Sequence, residues 1–165
     1  MRPLQAIAIF CEDIRSEASG QDTIVGTLPD NLNILHPTTS IAAATPMLSK
    51  LGLYLRMNFD TQQKPKDVEA KLLNTDNSVI LTGSWTQDLI DKAFSDAQTN
   101  SMPFAGLILK VIVAPLLIPK SGKLTAISIV DGSESVAGAI NLMVHDANVF
   151  SPPASQSPFA APASS

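Results

Sequence analysis

Cys11, His36 and the pair His145-Asp146 are the residues whose types could carry nucleophilic or acid-base chemistry in this chain. A cysteine becomes a nucleophile when a neighbouring cation favours its thiolate, and the chain has two histidines to offer, His36 and His145. Cys11, however, closes the nearly unbroken apolar run Leu4 to Cys11, and an apolar site raises a thiol pKa, so an inert buried cysteine is expected. His145-Asp146 has the order of a base and its orienting carboxylate. The matching nucleophile is missing, because Gly83-Ser84-Trp85 lacks the second glycine of a G-x-S-x-G elbow. The pair is expected simply to end the last strand.

Metal and cofactor chemistry fare similarly. Two histidines and one cysteine, far apart in sequence, make no zinc pattern. Calcium takes about six to eight oxygens. Glu12, Asp13, Asp22, Asp30, Asp76 and Asp131 all lie near turn signals, so a small-ligand or calcium-binding protein using acidic loops is the alternative reading. None of these acids sits in a D-x-[DN]-x-[DN]-G loop, which favours solvated turn residues. The eight glycines are scattered, giving neither a phosphate loop nor a dinucleotide fingerprint. The expectation is a non-enzyme with no cofactor and no metal.

The elements that would position such residues are mostly strands. Leu4 to Cys11 reads as a central strand with both faces covered. The polar segment Arg15 to Asp22 is a solvent-exposed hairpin loop, and Thr23 to Leu28 returns as a second strand, stopping at the turn Pro29-Asp30-Asn31. Phe10-Cys11-Glu12-Asp13-Ile14-Arg15, then Ile24-Val25-Gly26 and Pro29-Asp30-Asn31-Leu32, resembles the opening of a family of short, uncharacterised bacterial and phage proteins, a domain of unknown function. The resemblance covers roughly the first thirty residues. It implies a bacterial or phage β-sandwich, and it transfers no functional residue.

Further along, Leu32 to Leu35 reads as a short edge strand inside an irregular connection that runs to Ser49. Leu51, Leu53, Leu55, Met57 and Phe59 alternate with Gly52, Tyr54, Arg56 and Asn58, so the odd positions meet a core and Tyr54 and Arg56 face water. Val68, Ala70 and Leu72 alternate with charged residues, which suggests a solvated edge, and Val79 to Thr82 is short and apolar. The period then changes. Leu89, Ile90, Ala93, Phe94 and Ala97 fall at helical spacing, predicting a helix from about Trp85 to Gln98 with Ser84 and Gln87 as a capping box. Gly106 to Val113 reads as another central strand, Leu124 to Val130 as a strand burying Ile127 and Ile129, and Ala139 to Val144 as the last strand.

About eight short strands separated by turn residues define a mainly β, antiparallel sandwich with one amphipathic helix. It should occupy residues 1–150 as one domain, followed by a flexible Pro/Ser/Ala-rich tail over 151–165. Eleven basic and fifteen acidic residues, with no basic cluster, argue against nucleic acid as a partner. Phe104 to Pro119 is shorter than the ~20 residues that span a bilayer and holds Lys110 and Pro115, so no membrane segment is expected. A lone cysteine suits a cytoplasmic protein, and the resemblance to phage proteins implies virion association as a further expectation. The function that fits is protein-protein contact, as a phage-associated or assembly component that binds a partner or itself. Tyr54 and Arg56 are the interface candidates, since both residue types are enriched at binding hot spots.

Overall fold

The computed structural model describes residues 2–36 and 45–146. The predicted tail, and much of the irregular connection before Ser49, lie outside the described residues. Nine strands build two sheets. The first has the order β2-β1-β5-β8, from β1 (Gln5–Ser16), β2 (Asp22–Thr27), β5 (Leu51–Asp60) and β8 (Phe104–Val113). The second has the order β3-β11-β10-β6-β7, from β3 (Asn31–His36), β6 (Val68–Leu73), β7 (Val79–Ser84), β10 (Gly122–Val130) and β11 (Ser133–Asp146). The short β4 (Met47–Leu48) and β9 (Leu116–Leu117) pair with each other. Every ladder is antiparallel except β3 with β11, so the fold is mainly β and sandwich-like, as the strand pattern indicated.

The two sheets meet at close approaches occupied by glycine. A Cβ on Gly138 of β11 would stand 2.9 Å from the carbonyl oxygen of Ala8 on β1. A Cβ on Gly83 of β7 would meet the Leu109 side chain of β8 at 3.2 Å. Between these seams lies the interior, in two clusters. One gathers Phe10, Leu51, Leu53, Leu72, Leu124, Ile140 and Leu142, with Leu116 and Ile118 beside β9. The other gathers Leu55, Met57, Phe59, Val68 and Val130 under the helix α1 (Gln87–Thr99), which inserts Ile90, Phe94 and Ala97 and so closes that end. The odd face of β5 runs through both clusters, as its two-residue period requires.

Several expectations are corrected. β8 is an edge strand, bonded to β5 alone, and β6, taken for an edge, lies between β10 and β7. A uniform apolar run and an alternating charged one do not report lateral position, because neighbours across a sheet are remote in sequence. In β10 the interior clusters take Leu124, Ala126 and Val130; Ile129 is buried as expected, but Ile127 is only partly so. Ser128 shares that buried face because its hydroxyl meets the Ser135 hydroxyl at 2.8 Å, which satisfies it without water. The helix starts after Thr86 rather than Ser84, which ends β7, and no side-chain cap forms. Leu89 on the helix is exposed, because a single stripe of Ile90, Phe94 and Ala97 suffices against the sheet ends. Finally, β1 is central within its sheet, yet its outer face is not fully covered: Ile7 is 43% exposed, since two layers leave that face to water.

Candidate functional site

Cys11, His36, Ser84 and His145 lie on four different strands. Cys11 pairs across to Gly52 in the first sheet, and its thiol is buried; burial is the main force pushing its pKa up. His145 lies in the second sheet, its Nε2 2.8 Å from Asn33 Oδ1. The His36 side chain lies outside the described residues. Ser84 ends β7, in neither histidine's strand.

Four of the six turn carboxylates, Asp13, Asp22, Asp76 and Asp131, are engaged separately. Lys50 Nζ donates to Asp13 at 2.6 Å and Lys110 Nζ to Asp22 at 2.8 Å, and each lysine holds its carboxyl below the usual range. Asp76 accepts from the Ser78 hydroxyl and amide, which lowers it as well. Asp131 accepts from the backbone amides of Lys66 and Asp67, tying that hairpin to the start of β6. Among the described residues no three His, Cys, Asp or Glu side chains gather as a metal site.

What the fold does assemble is the outer face of the first sheet. Its even positions on β5 lie between odd positions of β1 and even positions of β8: Tyr54 between Ile9 and Lys110, Arg56 between Ile7 and Ile108, Asn58 between Gln5 and Gly106. The β1-β2 hairpin curls over one end of this face. Lys110, two strands away from β1, reaches both Ser16 at 3.1 Å and Asp22 at the hairpin's far end. On this face Cys11 is buried, and Tyr54 is half-buried rather than fully exposed as its alternation suggested.

The other end of the face stays open. A concavity of about 310 Å³ is lined there by Ile7, Ile9, Tyr54, Arg56, Asn58 and Phe104. Beyond Arg56 and Phe104 it continues into a groove of about 600 Å³ between β8 and α1, where Leu89 and Met102 are exposed. The sequence supplied Tyr54 and Arg56, and the structure adds Ile7, Ile9, Asn58 and Phe104. The first two were hidden inside a run that looked buried on both sides. Phe104 is contributed by β8, whose place beside β5 no local pattern reports.

The fold and this face define a mainly β, sandwich-like protein with an open, partly apolar sheet surface. No family model matches the chain, and no curated protein is similar to it in sequence. No helix among the described residues is long and apolar enough to cross a membrane.

Proposed function

We propose that this protein is not an enzyme and acts by protein-protein contact, docking a partner or a second copy of itself on the open end of the first sheet's outer face. The observation that carries the reading is the exposure of Ile7 (43%) and Ile108 (39%) on either side of Arg56, beside a concavity that also includes Tyr54. Contiguous apolar surface around aromatic and arginine side chains is the composition of binding patches. The likeness of the opening hairpin to uncharacterised bacterial and phage proteins supports an assembly role, in the cytoplasm or on a virion.

Light scattering after size exclusion, then capture from a lysate of the source cells, tests this with the wild type and with Ile7→Asp/Ile108→Asp. An oligomer or a captured partner that the double variant loses while remaining folded is the expected result. A strict monomer that captures nothing, or a partner held equally by the variant, refutes it.

The volume of the concavity, near the lower end of small-molecule sites, favours one second reading, a small ligand bound on the same face. Saturable binding of a metabolite that protects the Tyr54 ring, with no partner captured, would replace the first reading by this one.

A further inference from the structure

Arg56 is held in a way that its sequence context does not announce. Its Nε donates to Asn58 Oδ1 at 3.0 Å, and Asn58 in turn donates to Gln5 at 3.3 Å. Its guanidinium carbon lies 5.8 Å from the centre of the Phe104 ring. The side chain crosses β8 above Gly106, where a Cβ would come within 3.8 Å of Nη2, so the missing side chain gives the guanidinium a flat floor. Two contacts, with Asn58 and with the Phe104 ring, orient the group, and among the described residues only Nε is used in a hydrogen bond.

The two terminal nitrogens remain. Among the described residues every ion pair belongs to another cation, and none involves Arg56. Asp96 lines the neighbouring groove together with Lys92, but neither it nor any other carboxylate pairs with Arg56. The concavity itself contains one cation, no acid and an apolar floor. A guanidinium oriented in this way matches a carboxylate in a two-point, charge-assisted contact, with little side-chain entropy left to lose.

Resting on the docking role given above, we infer that this face recognises a protein segment presenting a carboxylate flanked by apolar side chains. The acid would sit on the Nη1/Nη2 end of Arg56, with the flanking apolar groups against Ile7 and Ile9 on one side and Ile108 on the other. A single positive charge suits a carboxylate monoanion. A phosphate would call for further cations, and the concavity has none.

The full chain, fluorescently labelled, is applied to an array of seven-residue peptides with central Asp or Glu flanked by Leu, Ile or Phe. Each has an Asn or Gln counterpart and a phosphoserine counterpart, and the strongest peptide is titrated by anisotropy. Acidic peptides should bind, with the amide counterparts weaker by about tenfold or more, the scale of losing a charge-assisted pair. Arg56→Lys keeps the charge but not the fork, and Gly106→Leu displaces the guanidinium; each should lose a similar factor while unfolding at the wild-type midpoint. The inference is overturned if no peptide binds, if acid and amide bind within about twofold, if phosphoserine binds best, or if Arg56→Lys is without effect. A natural partner lost by Ile7→Asp/Ile108→Asp but kept by Arg56→Lys would leave the docking face standing and remove the carboxylate alone. A partner kept by both would remove the docking face too.

Discussion

Adding one methyl group at Gly52 tests how tightly the hairpin end of the first sheet is packed. An alanine Cβ there would stand 2.7 Å from Cys11 Sγ, 3.2 Å from the Cys11 carbonyl oxygen and 3.3 Å from Ile112 Cδ1. The first distance is far inside van der Waals contact, and both residues are buried, so something must shift. Overpacking of this kind costs about 1 to 3 kcal/mol, and the stiffer unfolded chain of alanine returns about 0.5 of it. Gly52→Ala should therefore destabilise by about 0.5 to 2.5 kcal/mol. Cys11→Ala, which empties the space over Gly52, should cost about 1 kcal/mol.

Together the two changes should cost less than their sum, because the new methyl occupies the volume the sulfur leaves. A coupling of about 1 kcal/mol is expected, short of full rescue since the carbonyl contact persists. Urea denaturation of the four proteins at equal m-values measures it. Additivity within about 0.3 kcal/mol would mean that sulfur and glycine are not in contact, and the account of this corner would be wrong.

Phe59→Ala should destabilise by about 3 to 5 kcal/mol, because the ring is buried and tilted against Phe94 at 6.2 Å between centroids; a change under about 1 kcal/mol in calorimetry would contradict the helix-capped cluster. The Cys11 thiol, buried and with its pKa raised, should react with a disulfide reagent at neutral pH only as fast as the protein opens; prompt absorbance change in the native protein would refute this. Asp13 and Asp22 are lowered in the folded state, chiefly by Lys50 and Lys110. Their contribution is complete above the unfolded carboxylate pKa of about 3.9 and fades as pH falls through the lower folded values. The urea midpoint should drop over that acid range, and Lys110→Ala should make the drop shallower; an unchanged acid limb would show that the hairpin is not held this way.

Local pattern was enough to specify much of the architecture. The two-residue period from Leu51 to Phe59 fixed which face of β5 enters the core, since side chains of a strand alternate whatever its neighbours are. The polar loop before Asp22 and the turn at Pro29 marked the first hairpin, although β1 runs past the polar break after Cys11 to Ser16, and the 3.6-residue spacing of Ile90, Phe94 and Ala97 fixed the helix. Lateral order was beyond such patterns. That β8 stands at an edge, that β6 does not, and that β10 turns Leu124 rather than Ile127 inward all depend on pairing between distant segments. The same holds for the candidate site. Tyr54 and Arg56 could be picked out as outward residues of one strand, but Asn58 and Phe104 gripping the guanidinium, Gly106 beside it and the hairpin tied to Lys110 exist only once β1, β5 and β8 lie side by side. A strand's own alternation is written in its residues, whereas the company it keeps is settled by the competition of whole sheets for the same interior.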